Sequence, residues 1–237
     1  MKQSNMPHPP ISSRDDWRKA RIALLEREKA ATRLKDKIAS DRRHLPMVKV
    51  DSYYEFESSS GKVSLRDLFG DSRQLIVYHF MFDPEWESGC PGCTSYIDAL
   101  STVDLEELPK RDTSFVIVSR APLAQLVEYR NARKWEFEWV SSFGSSFNYD
   151  FDVTQDASVK PVEYNYRISD DQTQAGEAAS TSVFFRIDDE IYHTYQTFAR
   201  GNEGTSDSYG LLDLTPYGRQ EDWEDSPEGW PQKPTYG

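Results

Sequence analysis

The chain contains two cysteines, Cys90 and Cys93, and they form a Cys-Pro-Gly-Cys motif. Two thiols at this spacing can perform thiol–disulfide exchange, in which one sulfur attacks a disulfide and the other resolves the mixed disulfide. A single pair is too few for a disulfide-stapled scaffold and supplies only half of a four-thiolate zinc site. We therefore interpret Cys90 and Cys93 first as a redox-active, catalytic pair.

Two other interpretations of the cysteines remain open at this stage. The pair could contribute half of a zinc or iron–sulfur site shared between two molecules. It could also consist of simple packing residues, since free cysteine behaves as a small hydrophobe. Neither a resident metal nor a cofactor is predicted from the sequence, which has no phosphate-loop or dinucleotide-binding glycine motif.

The residues around the motif predict where it lies in the fold. Leu75 to Phe82 is almost continuously apolar, which is typical of a central strand covered on both faces. Pro91 suits the first position of a helix whose apolar spacing continues to Leu108. Cys90 would then lie at a helix N-terminus beyond the carboxyl end of a strand, where amides and the helix dipole favour a thiolate.

An acidic run precedes the motif and is expected to disfavour the Cys90 thiolate. Asp83, Glu85 and Glu87 lie within seven residues of Cys90. Because nearby carboxylates oppose ionisation of a thiol, we expect them to raise the pKa of Cys90. The expected thiolate is therefore weaker than in a strongly oxidising enzyme.

The remaining pattern predicts an α/β fold. A long amphipathic helix spans Arg14 to Arg43, with Ser13 as its cap. Further predicted elements, in chain order, are strands at Val48–Phe56 and Lys62–Leu65, a helical turn at Arg66–Phe69, a strand at Phe115–Ser119, a helix after Pro122, a short strand at Trp139–Val140, a loop over Gly144–Glu177 and a hairpin of Ser182–Ile187 with Glu190–Thr197. This order indicates a central mixed sheet flanked by helices, with an antiparallel pair at one side.

The domain organisation follows from the same pattern. We predict an N-terminal arm and long helix over residues 1–45, one α/β domain over residues 46–215, and an extended acidic tail over residues 216–237. Leu211 to Leu214 is a weak helical or extended segment. The long helix packs on the main domain or joins two copies of the chain in a homo-oligomer.

Composition excludes several classes of protein. The 237 residues carry 28 Lys and Arg against 40 Asp and Glu, a formal charge of −12. A chain this acidic lacks the excess of basic residues that is typical of a general nucleic-acid binder. The aromatic share of 13% supplies enough large side chains for a core. The sequence shows no signal peptide or membrane span, and we expect a cytoplasmic protein.

Seven stretches of the chain match a known family. They are EKAATRLKDKIASDRRHLPMV (Glu28–Val48), QLIVYHFMFDPEW (Gln74–Trp86), CPGC (Cys90–Cys93), VSRAPL (Val118–Leu123), WVSSFGSSFNYDF (Trp139–Phe151), YHTYQTFARG (Tyr192–Gly201) and LLDLTPYGRQE (Leu211–Glu221). With these stretches, from about Arg14 to Glu221, the chain resembles a thioredoxin-like domain-of-unknown-function family whose members are described as predicted dithiol–disulfide oxidoreductases. The resemblance implies a thioredoxin-like fold and a redox role, and it implies no particular substrate.

The chain departs from better-understood relatives in two ways. Thioredoxins place a cis-proline beside the reactive cysteine, whereas Ser180, Thr181 and Ser182 include no proline. A threonine at this place resembles peroxiredoxins. However, the chain misses the peroxiredoxin pattern P-x-x-x-[ST]-x-x-C by one residue. Pro84 and Ser88 fit the pattern, which then requires a cysteine at position 91, but the cysteine is at position 90.

Five residues are candidate helpers of the cysteines: Trp86, Pro91, Arg120, Thr181 and His79. Trp86 could form a substrate platform, and Pro91 fixes the first helical position. Arg120 could face the thiol or form an ordinary ion pair. His79 could serve as an acid–base group beside Cys90, but a structural histidine in the core is the simpler interpretation.

The leading functional hypothesis is a thiol–disulfide oxidoreductase that acts on a thiol or disulfide partner, either a protein or a small molecule, and is restored by an external reductant. A non-catalytic binding or assembly module with the same fold is a second hypothesis. A peroxiredoxin-like peroxide reductase is a third.

Overall fold

The computed structural model describes residues 7–100, 102–205, 213–217 and 220–232, without the side chains of residues 102–104. The contacts between residues fall into two groups, which divide the chain into two compact units. One comprises Met1–Pro46 together with Tyr209–Gly237, and the other comprises Met47–Ser208. The three-part division expected from the sequence remains a proposal.

The first unit contains the long helix α1, Arg14–Arg43, whose bounds agree with the sequence prediction. The Ser13 hydroxyl accepts a hydrogen bond from the Asp16 amide at 3.1 Å, which satisfies one free donor at the helix start. None of the residues of α1 is buried. The described parts of the C-terminal segment, 213–217 and 220–232, form turns and contain neither helix nor strand. Leu211 and Leu212, which belong to the predicted weak segment, lie outside the described residues.

The second unit contains the sheet and the shorter helices. Its helices are α2 (Pro91–Ala99), α3 (Thr102–Glu107), α4 (Leu123–Arg133) and α5 (Phe147–Asp150). Its strands are β1 (Val48–Lys49), β2 (Glu55–Ser58), β3 (Gly61–Ser64), β4 (Gln74–His79), β5 (Thr113–Ser119), β6 (Trp139–Ser141), β7 (Thr154–Gln155), β8 (Glu163–Tyr164), β9 (Arg167–Ile168), β10 (Gly176–Glu177), β11 (Ser180–Ile187) and β12 (Glu190–Phe198).

One mixed sheet organises this unit, with the strand order β1-β12-β11-β4-β5-β6-β2-β3. Strands β4, β5 and β6 are parallel, whereas β11 is antiparallel to both β4 and β12. The chain leaves β4, forms α2 and α3, and returns as β5 beside it; β11 and β12 then add an antiparallel pair on the other side of β4. This is the thioredoxin-like fold, and the predicted fold class is confirmed.

Alternating residues of the strands pack into two cores, one on each face of the sheet. Leu75 and Val77 of β4 join Phe147 and Phe151 on one face, which we call the α5 face. Tyr78 of β4 packs on the opposite face, which we call the α2 face. The buried residues of the α2 face include Phe80, Phe82, Cys93, Tyr96, Ile97, Ile117, Leu126 and Trp139. Each large apolar side chain buried in these cores stabilises the fold by about 1.5–3 kcal/mol before entropic costs.

Several predicted elements differ from the structure in their bounds or in their number. The strand predicted over Val48–Phe56 is two strands, because β1 pairs with β12 at one edge of the sheet and β2 pairs with β6 and β3 towards the other. The helix predicted from Pro91 to Leu108 divides at Leu100, which has extended backbone angles. The predicted loop over residues 144–177 contains α5 and four two-residue strands.

Candidate active site

The two cysteines lie where the central strand gives way to a helix. Beyond the end of β4, the chain makes a loop that the Cys90 amide closes by donating to the Met81 carbonyl at 3.0 Å. Cys90 is the N-cap of α2, and Pro91 occupies its first turn, where a missing amide proton costs nothing. The motif therefore lies beyond the carboxyl end of β4, as the sequence predicts.

Cys90 is a free, half-buried thiol whose pKa is lowered to about 6 from an ordinary value of 9.0. The largest cause is a hydrogen bond from the Cys93 side chain, and the amides of Gly92 and Cys93 act in the same direction. Partial burial opposes these effects. Since the thiolate is the nucleophilic form of cysteine, Cys90 can react near neutral pH.

Cys93 is also a free thiol, but only 2% of its surface is exposed. Burial is the main reason that its pKa is raised, and the hydrogen bond to Cys90 raises it further. The Tyr78 side chain and the Met81 backbone contact the Cys93 sulfur and lower its pKa in part. The two thiols thus differ in access and in protonation, since Cys90 is the more exposed sulfur and the one more readily ionised.

The expected rise of the Cys90 pKa from the acidic run is wrong. The Asp83 carboxylate is paired with the guanidinium of Arg120, which neutralises its field. Glu85 and Glu87 are exposed, where water screens their charges. The hydrogen-bond donors at the start of α2 therefore determine the direction of the shift.

Arg120 is an ion-paired residue beside the cysteine loop. Besides Asp83, it contacts the Glu177 carboxylate at 2.7 Å, and only 2% of that side chain is exposed. Thr154 donates a further hydrogen bond to Glu177 at 3.0 Å. Because two carboxylates occupy its guanidinium, Arg120 connects the loop before Cys90 to β10. The ion pairs agree with the second of the two interpretations of Arg120 offered by the sequence.

His79 lies on the opposite face of the sheet from the cysteines, so the sequence hypothesis of an acid–base role beside Cys90 is wrong. The ring is 1% exposed and stacks on Phe147 and Phe151 of the α5 face. Its Nε2 is 2.7 Å from the Ser182 hydroxyl. Burial lowers its pKa to about 3, which keeps the imidazole neutral. The alternation of side chains along β4 explains this position.

Thr181 lies on the same sheet face as the cysteines. It is opposite Tyr78 in the register of β11 with β4, so the two side chains share the α2 face. The segment before β11 places Ala179 against the cluster that Cys90 also contacts. The described residues contain no cis peptide bond, in agreement with the absence of proline at this place.

Trp86 is at the surface of the cysteine loop. Its side chain is 38% exposed, and its amide donates to the Asp83 carbonyl at 3.0 Å in a turn. Its ring is therefore partly accessible to solvent. Gly89, directly before Cys90, is buried, and a Cβ there would lie 2.5 Å from the Phe80 ring. This packing explains why the residue before Cys90 is a glycine.

The sequence interpretation missed Tyr78 and Met81 as neighbours of the cysteines. Both are in the apolar run Leu75–Phe82, which indicated only a core strand. The period of two along β4 could have placed Tyr78 on the face covered by the helix after Cys90. The backbone contact of Met81 depends on how the loop closes and has no sequence signal.

The described part of the chain contains neither a cluster of metal-binding side chains nor a membrane-spanning helix. No group of three or more His, Cys, Asp or Glu side chains is arranged there to hold a metal ion. None of the helices in those ranges is both long enough and apolar enough to cross a membrane.

Comparison with known proteins gives a family and several distant structural similarities. Among solved structures, similar chains include a mutant of PrxQ from Xylella fastidiosa, with 18% identity over 67% of this chain and 88% of that chain and a TM-score of 0.42. The bacterioferritin comigratory protein of Xanthomonas campestris has 18% identity over 63% of this chain and 85% of that chain, with a TM-score of 0.41. Peroxidoxin BcpB from Mycobacterium tuberculosis has 17% identity over 60% of this chain and 77% of that chain, with a TM-score of 0.41.

No curated protein matches the chain. The family match, in contrast, covers nearly the whole sequence and agrees with the resemblance noted from its motifs. Residues 6–236 match the family described as "Bacterial protein of unknown function (DUF899)", and the chain therefore belongs to that family.

Proposed function

We propose that the protein is a thiol–disulfide oxidoreductase in which Cys90 is the nucleophile and Cys93 is the resolving thiol. The observation that carries the proposal is the pairing of a half-buried thiol, whose pKa is lowered to about 6, with a buried thiol that hydrogen-bonds to it from the next turn of α2. This arrangement gives one reactive sulfur and a second sulfur within reach of it.

The proposed reaction has two exchange steps. In the first step, the Cys90 thiolate attacks a disulfide of the partner, forms a mixed disulfide and releases one partner thiolate. In the second step, Cys93 attacks the Cys90 sulfur, which forms the internal disulfide and releases the second partner sulfur. The protein dithiol is oxidised and the partner disulfide is reduced to two thiols. An external thiol or dithiol then restores the protein.

The surroundings of Cys90 suggest how the site is held for this reaction. The Thr94 hydroxyl donates to the Cys90 carbonyl at 2.8 Å and is 2.8 Å from the Tyr129 hydroxyl, which ties the first turn of α2 to α4. The ion pair of Arg120 with Asp83 fixes the loop on the other side. We include Pro91, Trp86 and Thr181 in the proposal as a helix-start residue, an exposed aromatic surface and a neighbour on the same sheet face.

The proposal also includes partners and location. The partner is a disulfide or oxidised thiol on a protein or small molecule, the reductant is an external thiol, and the compartment is the reducing cytoplasm. Self-association through α1 is part of the proposal as well. A peroxide substrate and a purely binding role are the alternatives that the test must separate.

Trapping of the mixed disulfide tests the proposal. In Cys93→Ser, the mixed disulfide at Cys90 cannot be resolved, so a small-molecule disulfide should remain attached and be detected by mass spectrometry. Cys90→Ser is the matched control and should capture nothing. Capture by neither variant would contradict the proposal and favour a binding module. Rapid sulfenic acid formation at Cys90 with dilute peroxide, without reaction with disulfides, would contradict it in favour of a peroxidase.

A further inference from the structure

The resolving step poses a problem for a sulfur as deeply buried as Cys93. To attack the mixed disulfide at Cys90, this thiol must lose its proton and carry a negative charge where only 2% of its surface meets water. A buried charge without hydrogen-bond donors is strongly disfavoured. A site that performs this step therefore needs donors directed at the Cys93 sulfur.

Tyr78 supplies the first such donor. Its side chain extends from β4 on the α2 face, is 3% exposed, and hydrogen-bonds to the Cys93 sulfur. The ring stacks on Tyr96 with centroids 4.5 Å apart and an interplanar angle of 28°. Tyr96 in turn is fixed by a contact of its hydroxyl with the Thr205 hydroxyl at 2.6 Å. The Tyr78 hydroxyl is thus held in place before any reaction begins.

The backbone of Met81 supplies the second contact. Its backbone hydrogen-bonds to the Cys93 sulfur in the direction that favours the thiolate, which identifies its amide as the donor. The carbonyl of the same residue accepts the Cys90 amide at 3.0 Å. Met81 therefore holds both cysteines at once, and the closed loop fixes the direction of its amide. Pre-positioned donors of this kind stabilise developing charge without reorganisation during the reaction.

We propose that Tyr78 is a catalytic residue of the resolving step, in which its hydroxyl and the Met81 amide donate hydrogen bonds to the Cys93 thiolate. This inference rests on the proposed function. As Cys93 forms its bond with the Cys90 sulfur, the bond from Cys90 to the partner sulfur breaks and the electron pair leaves with the partner. The proton of Cys93 passes through water and ends on one of the two released thiols, so the exchange is balanced.

The geometry also defines what Tyr78 does not do. The sulfur of Cys90 draws its hydrogen bonds from the Cys93 side chain and from the amides of Gly92 and Cys93. Removal of the Tyr78 hydroxyl should therefore leave the first exchange almost unchanged and slow only the second. A merely structural role of Tyr78 would affect both steps together.

Reaction with dithiodipyridine separates the two steps, because each exchange releases one coloured thiopyridone. Stopped-flow mixing with the reduced wild-type protein should give a first phase from Cys90 and a second phase from Cys93. In Tyr78→Phe, the first phase should keep its rate within about twofold. The second should slow by about tenfold or more, as expected for the loss of a hydrogen bond to a charged group. Its rate should also reach a maximum at higher pH than in wild type.

Tyr54→Phe is the matched control. Tyr54 is a buried tyrosine of the α5 face whose hydroxyl donates to Asp150 at 2.9 Å, so the variant loses the same chemical group away from the cysteines. Both phases should keep their wild-type rates. Equal second phases and equal pH profiles in wild type and Tyr78→Phe would overturn the role of Tyr78 and leave the proposed function intact. Absence of a second phase in the wild type would contradict the proposed function itself.

A second measurement tests the contact between Tyr78 and Cys93 without the exchange reaction, in variants whose folding is first checked by circular dichroism. In a Cys90→Ser background, the pH dependence of Cys93 alkylation reports directly on the buried thiol. The single variant Cys90→Ser, with Tyr78 intact, gives the reference curve under the same conditions. The midpoint should move to higher pH when the Tyr78 hydroxyl is absent, and an unchanged midpoint would overturn the inference.

Discussion

Cys90 and Cys93 shift each other's pKa in opposite directions through one hydrogen bond. The Cys93 side chain lowers the pKa of Cys90, and the same contact raises the pKa of Cys93. Ionisation is therefore concentrated on the more accessible sulfur. The proposed roles of Cys90 as the attacking thiol and Cys93 as the resolving thiol rest on this contact and on the different burial of the two residues.

The first prediction concerns the Cys90 thiolate. The rate of alkylation by iodoacetamide should titrate with a midpoint of about 6 in wild type. In Cys93→Ala, the midpoint should rise because the largest stabilising hydrogen bond is removed. It should stay below the ordinary value of 9.0, since the helix amides remain. Cys90→Ala identifies any alkylation at Cys93. A midpoint near 9.0 in wild type, or no change in Cys93→Ala, would show that this assignment is wrong.

The second prediction concerns the stability contributed by Arg120. In Arg120→Met, the buried Glu177 carboxylate loses its partner, so the free energy of unfolding should fall by about 3–5 kcal/mol. Urea titration measures the loss. Arg66→Met is the control, because the pair of Arg66 with Asp189 is exposed and should contribute about 0–1 kcal/mol. Losses of equal size in the two variants would contradict the structural role of Arg120.

The third prediction concerns the pH dependence of stability. In the unfolded chain His79 takes up a proton near pH 6.5, whereas in the folded protein it does so only near pH 3. The unfolded state therefore binds more protons between these values, and stability should be lost as the pH falls through that window.

Comparison of variants isolates the contribution of His79. His79→Phe should show a shallower decrease of the unfolding free energy than wild type as the pH falls from 6.5 towards 3. The half-buried His193, whose pKa is also lowered by burial, should leave part of the slope in place. Parallel curves for His79→Phe and wild type would refute the assignment.

The fourth prediction concerns the charge of the disulfide partner. Glu85 and Glu87 are exposed in the loop before Cys90, and the whole chain carries a formal charge of −12. The rate of each disulfide with Cys90 is divided by its rate with a simple thiol to remove differences in intrinsic reactivity. This ratio should be about tenfold larger for a cationic disulfide such as cystamine than for an anionic disulfide. Added salt should reduce this preference.

A pair of matched double variants tests whether the loop causes the preference. Glu85→Gln with Glu87→Gln should reduce the discrimination between cationic and anionic disulfides. Glu136→Gln with Glu138→Gln removes the same charge at the same spacing from exposed positions before β6, at the opposite end of the parallel strands. That control should keep more of the preference. An equal effect of both double variants would assign the preference to net charge alone.

The sequence predicted the parts of the fold that depend on local pattern. The Ser13 cap and the bounds of α1 follow from capping chemistry and helical spacing, and the turn at Asp188 and Asp189 joins two strands of clear apolar pattern. The central position of β4 follows from its continuous apolar run. The strand–Cys-Pro-Gly-Cys–helix order followed from the same local signals.

The features that the sequence did not predict depend on contacts between distant residues. The pairing of β1 with β12 and of β2 with β6 is a matter of sheet topology, which no local pattern encodes. The neutralisation of Asp83 by Arg120 joins residues 37 positions apart. For the same reason the expected effect of the acidic run on the pKa of Cys90 was wrong, because the run was visible in the sequence and the partner of Asp83 was not.

The central claim is that Cys90 and Cys93 exchange electrons as a pair, and an equilibrium redox titration tests it most directly. The protein is equilibrated in buffers of graded dithiothreitol ratio, quenched with an alkylating agent and examined by mass spectrometry. The account predicts a two-electron transition from two alkylated cysteines to an unalkylated internal disulfide, absent in Cys93→Ser. Two alkylated cysteines at every ratio, including the most oxidising, would contradict it.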